Sequence, residues 1–111
     1  MKQDTDLKSQ VKKILKVVEE LAPGRSVELR IPPYAAIQCV AGSTHRRGTP
    51  PNVVEMNGQS LLKLSQNADL WDELCSAGQI SASGTNSNLT DLFTQVSKLI
   101  SNFDKESSDG K

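Results

Sequence analysis

Apolar residues near the amino terminus recur at the spacing of one helical face. They are Leu7, Val11, Ile14, Leu15, Val18 and Leu21. Lysines fall mostly on the opposite side, so the pattern predicts a surface helix that packs by one face. The helix should end at Ala22-Pro23-Gly24, because proline cannot continue the hydrogen-bond ladder.

A period of two replaces the helical period at residue 26. Residues 26–31 alternate between polar and apolar side chains, as in a half-buried strand. Residues 34–40 are apolar on both faces apart from Gln38, which predicts an inner strand, and residues 53–56 form a third short strand. The Pro32-Pro33 and Pro50-Pro51 pairs cannot lie inside a central ladder, so they mark strand ends.

The second half of the chain returns to helical spacing. Asn57 can cap a leucine-rich helix, and a second helical turn around Trp71 should stop at Gly78, a natural left-handed position. Residues 79–83 form a fourth strand with Ile80 and Ala82 facing inward. A last amphipathic helix follows, and its apolar stripe comprises Leu89, Leu92, Phe93, Val96, Leu99, Ile100 and Phe103.

The order of elements predicts an α+β fold in which helices cover a mostly antiparallel sheet of four to five strands. No repeat or linker divides the chain, so residues 1–104 form a single domain. Residues 105–111 have no apolar side chain to bury and are predicted to be a disordered tail.

Charge and composition exclude several function classes. Thirteen basic residues balance thirteen acidic ones, so no overall field favours nucleic acid. The amino terminus has no apolar signal core, and no later run approaches the roughly 20 apolar residues that span a bilayer. We therefore expect a cytoplasmic protein without stable membrane insertion, in which Cys39 and Cys75 are reduced, buried and small.

Four stretches of the chain form a recognisable set. They are Pro-Pro-Tyr-Ala-Ala at 32–36, Gln-Cys at 38–39, His-x-Arg-Gly-Thr-Pro-Pro-Asn-Val-Val-Glu at 45–55 and Ala-Ser-Gly at 82–84. With them the chain resembles the short bacterial sterol carrier family proteins, relatives of the sterol carrier protein-2 (SCP-2) domain. The resemblance covers nearly everything from Val27 to about Leu92 and implies an SCP-2-like fold. It also implies a non-enzymatic domain that holds lipids, fatty acyl chains or sterols between sheet and helices.

The chain departs from that family at two places. It reads Ser60-Leu61-Leu62 where relatives commonly have a Trp, and Thr85-Asn86-Ser87-Asn88 where they have an Arg with a small-acidic pair. If the Arg and the acidic residue belong to the ligand site in relatives, their absence here argues against a ligand shared with those relatives.

The resemblance implies an apolar ligand cavity, for which the later helices supply the lining. The candidates are Leu61, Leu64, Trp71, Leu74, Ile80, Leu89, Leu92, Phe93 and Val96. The alternative is that these residues simply fill the core, since a cavity costs stability and four aromatic residues leave little apolar material to spare.

The loop at 44–49 is the best polar candidate, with His45, Arg46, Arg47 and Thr49. An Arg guanidinium can hold a carboxylate or phosphate through two hydrogen bonds, and hydroxyls and a protonated His add donors. His45 and Arg47 occupy the family-like positions.

Structural roles are the alternative for these polar residues. The loop can be a solvated connection in which Arg47 or Arg30 pairs with Glu28 or Glu55. Asn52 is a candidate ligand contact, but it can equally bond only the backbone beside the turn.

Catalytic signatures are sparse. His45 is the single histidine, the chain has no phosphate-binding, Rossmann or zinc motif, and a strand-borne Cys39 is typical of an inert thiol. We expect no catalytic residue, no cofactor and no metal.

Three functions follow from these observations. The leading one is a domain that binds a lipid or fatty acyl ligand, with its head near the 44–49 loop and its tail under the last helix. The alternatives are a protein-interaction module, with a partner protein or as a homodimer, and a sensor of small anions.

Overall fold

The structure is a computed structural model that describes residues 2–42 and 50–109, with side chains at 6–42 and 50–102. Its elements follow the predicted order. They are α1 (Lys2–Leu21), β1 (Val27–Ile31), β2 (Ala35–Cys39), β3 (Asn52–Met56), α2 (Gly58–Gln66), a 3-10 turn (Ala68–Leu70), α3 (Trp71–Ser76), β4 (Ile80–Ser83) and α4 (Thr90–Asp109).

The four strands form one mixed sheet in the order β2-β1-β3-β4. The β1–β2 and β3–β4 pairs are antiparallel, whereas β1 and β3 are parallel. The prediction of an α+β fold with a mostly antiparallel sheet is therefore confirmed, with one parallel pair at its centre. The strand directions place the beginnings of β1 and β3 at one end of the sheet, and β2 and β4 finish at that same end. We call this the Asn52 end.

The prediction that β2 is an inner strand is wrong. It lies at the sheet edge and pairs with β1 alone, and β1 and β3 are the inner strands. Ala35 and Ile37 are half-buried on the helical side, while Ala36 and Gln38 on the other face are exposed. Alanine made the segment look apolar on both faces, but so small a side chain does not require burial.

The core lies on one face of the sheet, where the helices cover Val27, Leu29 and Ile31 of β1. The alternate residues of β1 and β3 form a polar face. Arg30 pairs there with Glu28 at 3.3 Å and with Glu55 at 3.9 Å. On β4, Ile80 is buried as predicted, but Ala82 is exposed although it pairs with the buried Val54.

Sequence signals at the element ends correspond to the observed boundaries. Pro32-Pro33 follow β1 in a turn that is closed by a 2.8 Å hydrogen bond from the Tyr34 N–H to the Ile31 carbonyl. Pro50-Pro51 precede β3. Asn57 caps α2 by accepting a hydrogen bond from the Ser60 N–H at 2.8 Å. Helix α4 extends to Asp109 and includes residues 105–109 of the predicted tail, whose disorder stays a prediction.

Two glycines with positive φ allow a direct test of the packing at the Asn52 end. A Cβ on Gly84, at φ +105°, would lie within 2.2 Å of Asn52 Oδ1 and 2.8 Å of the Pro51 carbonyl oxygen. A Cβ on Gly78, at φ +76°, would meet nothing within 4 Å.

We expect Gly84→Ala to lower the free energy of unfolding by about 3 kcal/mol, since overpacking adds to backbone strain. Gly78→Ala is the matched control and should lose about 1 kcal/mol from strain alone. Urea denaturation measures both losses, and equal losses would contradict the close packing at Gly84.

Candidate functional site

A groove with a volume of about 400 Å³ opens at the Asn52 end of the sheet. One wall comes from the residues where β1 begins and β2 finishes, and the other from the β4–α4 connection and the first turn of α4. The lining residues are Ser26, Val40, Ala41, Thr85, Asn86, Asn88, Leu89, Asp91 and Leu92.

The first wall depends on an unusual backbone conformation at Val40. Its φ is +66°, in the left-handed region that a β-branched residue rarely adopts. Three hydrogen bonds fix it: the Val40 N–H donates to the Ala22 carbonyl at 2.7 Å, and the Val40 carbonyl accepts from the N–H and the hydroxyl of Ser26 at 3.0 and 2.8 Å. Gly24 permits this approach, because a Cβ there would lie 2.2 Å from the Val40 carbonyl.

The second wall is a short connection held by its own side chains. The Ser87 hydroxyl donates to the Gly84 carbonyl at 2.9 Å. Asn88 Oδ1 accepts from the N–H of Thr90 at 2.9 Å and from its hydroxyl at 2.7 Å, where α4 begins. These hydrogen bonds hold the backbone between Gly84 and Thr90 and thereby fix the direction in which Leu89 and Leu92 enter the core.

Asn52 joins the two walls. Its side chain is almost completely buried, at 2% exposure. Nδ2 donates to the Ser26 carbonyl at 2.9 Å, and Oδ1 accepts from the Asn86 N–H at 2.9 Å. Both polar atoms of the side chain therefore bond backbone groups, which agrees with the structural role considered for Asn52.

The lining of the groove is amphipathic. Val40, Leu89 and Leu92 supply an apolar side, and polar side chains including Asn86 and Asn88 stand beside them. An arrangement of this kind can hold a molecule with one apolar and one polar end.

The predicted ligand-binding residues lie in different places. Leu61, Leu64 and Phe93 are completely buried in the core and Trp71 nearly so, while Leu89 belongs to both the core and the groove. His45, Arg46, Arg47 and Thr49 lie outside the described residues. Their assignment to a ligand site stays a prediction.

Sequence reasoning missed the groove itself. Val40, Ala41, Asn86 and Asn88 were not singled out as ligand contacts, and no local pattern marks the left-handed backbone at Val40. The run Thr85-Asn86-Ser87-Asn88 is one of the two departures from relatives, and three of its residues, Thr85, Asn86 and Asn88, line the second wall.

A second concave region, of about 350 Å³, lies beside the β1–β2 turn at the opposite end of the sheet. Its lining includes Pro32, Pro33, Tyr34, Arg30 and Glu55. The Arg30 guanidinium pairs with the two carboxylates on the polar face. This region is open and its single cation is already neutralised, so we favour the groove as the candidate site.

A family comparison bears on this geometry. The sequence model of the family described as "Bacterial SCP ortholog", where SCP denotes sterol carrier protein, matches residues 3–94. The chain belongs to this family. The match extends from α1 into α4 and includes both walls of the groove. A search of curated proteins gave no match for the chain.

Within residues 2–42 and 50–109, no helix is long and apolar enough to cross a membrane. Among the side chains described at 6–42 and 50–102, no three of the His, Cys, Asp or Glu type group together as a metal site would require.

The two cysteines differ in their surroundings. Cys39 is completely buried, as predicted, whereas Cys75 is half-buried. Burial, with a smaller contribution from Glu19, raises the pKa of the Cys39 thiol from 9.0 to about 11. Burial and Asp72 also raise the pKa of Cys75. Neither thiol is therefore prepared as a nucleophile at neutral pH.

The raised pKa of Cys39 predicts a loss of stability in alkali. Above pH 9.0 the thiol ionises in the unfolded chain first, so the unfolded state is favoured until the folded thiol also ionises near pH 11. Each pH unit in this interval should lower the free energy of unfolding by up to about 1.4 kcal/mol.

Urea denaturation across this pH interval, compared with Cys39→Ala, isolates the contribution of the thiol. We expect a shallower decline for the variant, because it lacks the thiol whose pKa is raised by folding. Parallel declines would contradict the buried thiol.

Proposed function

We propose that this protein binds a small amphipathic ligand, most simply a fatty acyl compound, in the groove at the Asn52 end and does not transform it. The observation that carries the proposal is the lining of the groove, where Val40, Leu89 and Leu92 adjoin Asn86 and Asn88. A volume of about 400 Å³ lies within the range of small-molecule sites.

The buried leucines indicate how the acyl chain would enter. Leu89 and Leu92 belong to the groove and to the core cluster at once. Deeper in the core, Phe93, Leu61 and Leu64 are completely buried. A tail would therefore rest first against Leu89 and Leu92, and further entry under α4 would require core side chains to move.

The connectivity of the chain supports a role for the cationic segment. Residues 43–49 connect Gly42, which follows β2, to Pro50, which precedes β3, and both of these described residues belong to the Asn52 end. A Cβ on Gly42 would lie 3.1 Å from Ser26 Cβ, and the Asn52 N–H donates to the Ser26 carbonyl at 3.2 Å. We therefore propose that His45 and Arg47, with Arg46 and Thr49, contact a carboxylate or phosphate head.

Binding without catalysis is the reading that the side chains support. The protonated thiols supply no nucleophile at neutral pH, and the sequence contains a single histidine. A cytoplasmic location and a homodimer or protein partner remain predictions from the sequence.

Two exposed alanines allow the groove to be blocked without disturbing the core. Ala41 lines the groove, and Ala36 lies on the polar face of β2 at the other end of the sheet. We expect Ala41→Trp to weaken dodecanoate binding by at least tenfold, because the indole would occupy the groove, and Ala36→Trp to leave binding within twofold of the wild type. Calorimetric titration under conditions in which both variants are fully folded measures the two dodecanoate affinities.

Dodecanol tests the head-group contacts within the same titrations. Replacing His45 and Arg47 together by Ala should weaken dodecanoate and leave the uncharged alcohol unaffected. Binding of inorganic phosphate or phosphate esters without dodecanoate would instead favour the small-anion sensor. No binding of any of these probes to the wild type would contradict the proposed ligand class.

A further inference from the structure

We propose that Asn52 sets the separation between the two walls of the groove and is thus a positioning residue for the ligand rather than a ligand contact. This inference rests on the proposed function. It concerns what the Asn52 side chain does for the site, which no family membership specifies.

The geometry places one planar amide between two backbone segments that are distant in sequence. On the first wall, the Ser26 carbonyl accepts from both the N–H and Nδ2 of Asn52, at 3.2 and 2.9 Å. On the second wall, the Asn86 N–H donates to Oδ1 at 2.9 Å. The distance between Ser26 and Asn86 is therefore spanned by a single rigid group.

The chemistry of this position requires an amide. The side chain must donate on one side and accept on the other while it is almost fully buried, and of the small side chains Asn has this planar pair. An Asp carboxylate of the same shape would keep the acceptor toward Asn86 but would turn an oxygen toward the Ser26 carbonyl. An apolar replacement would leave the Asn86 N–H without its acceptor, and the Ser26 carbonyl would keep only the bond from the backbone N–H of residue 52.

The surroundings of Asn52 are adapted to the same purpose. A Cβ on residue 84 would lie 2.2 Å from Asn52 Oδ1. Because Gly84 has none, the second wall can approach the amide closely. The Ser26 N–H and hydroxyl both donate to the Val40 carbonyl, at 3.0 and 2.8 Å, which couples the first wall to the lining residue Val40. A displacement of Ser26 would therefore move Val40.

Asn57 provides a matched control. Its side chain also accepts from a backbone N–H, that of Ser60 at 2.8 Å, and donates to another residue, Gln79 Oε1 at 3.0 Å. It performs these bonds at the start of α2, away from the groove lining. Asn57→Ala thus removes two side-chain hydrogen bonds at an exposed position and destabilises the fold without touching either wall.

The first measurement needs no ligand. Hydrogen exchange of the Asn86 amide is compared in the wild type, Asn52→Asp, Asn52→Ala and Asn57→Ala under conditions in which each is folded. We expect exchange to accelerate by at least roughly tenfold in Asn52→Ala, since the acceptor is lost. It should stay slow in Asn52→Asp, which keeps an oxygen in place, and in Asn57→Ala.

The second measurement is titration with dodecanoate. Both Asn52 variants should bind roughly tenfold more weakly than the wild type, because either change weakens the link to at least one wall. Asn57→Ala should bind within twofold of the wild type although it is less stable. Each titration is performed under conditions in which the variant is fully folded, so a role of Asn52 in folding alone would not produce this difference.

Two results would overturn the inference. One is unchanged Asn86 exchange in Asn52→Ala, and the other is equal loss of dodecanoate affinity in Asn57→Ala. If Asn52→Ala does not fold, Asn52→Asp decides, since it keeps the shape and one of the two bonds. If the wild type binds no dodecanoate, the proposed ligand class fails, and the exchange measurement alone then decides whether Asn52 fixes the walls.

Discussion

The parallel pairing of β1 with β3 is the constraint on which the remaining structure depends. It places the beginnings of both inner strands at one end of the sheet. Because β2 and β4 run antiparallel to their neighbours, their final residues arrive at the same end. The residues that precede β1 and follow β2 therefore lie together at this end, and the β4–α4 connection begins beside them. The groove is the space between these two parts of the chain.

Where these backbone segments converge outside the sheet, their N–H and C=O groups must find hydrogen-bond partners without a regular strand ladder. Asn52 does so for the Ser26 carbonyl and the Asn86 N–H, and Ser26 does so for the Val40 carbonyl. The left-handed Val40 costs free energy that an unconstrained chain would avoid. Strain of this kind persists where surrounding contacts determine the backbone, and here it directs Val40 into the groove lining.

Local patterns predicted most of the fold. The alternation in β1, the proline pairs, the Asn57 cap and the stop at Gly78 each depend on residues close in sequence, and the structure contains all of them. The position of β2 was not predictable in the same way. A strand of small apolar residues reads alike at an edge and in the interior, because its composition does not reveal how many neighbours it has.

The site was predicted less well than the fold, for a physical reason. Asn52 forms hydrogen bonds with Ser26 and Asn86, which are 26 and 34 residues away in sequence, so no periodicity or spacing predicts these contacts. Family resemblance drew attention to Asn52 and to the leucines of the later helices, yet it did not indicate that Leu89 lies at the groove while Leu61 and Leu64 lie in the core. Only the arrangement of strands decides that.

We propose above all that a ligand occupies the groove at the Asn52 end and leaves the core packed. Backbone amide chemical shifts during titration of the isotopically labelled protein with dodecanoate test this proposal most directly. We expect saturable shifts concentrated at Val40, Ala41, Asn86 and Leu89, with little change at Leu61, Leu64 and Trp71. Shifts concentrated at those three core residues, with the groove unaffected, would contradict it.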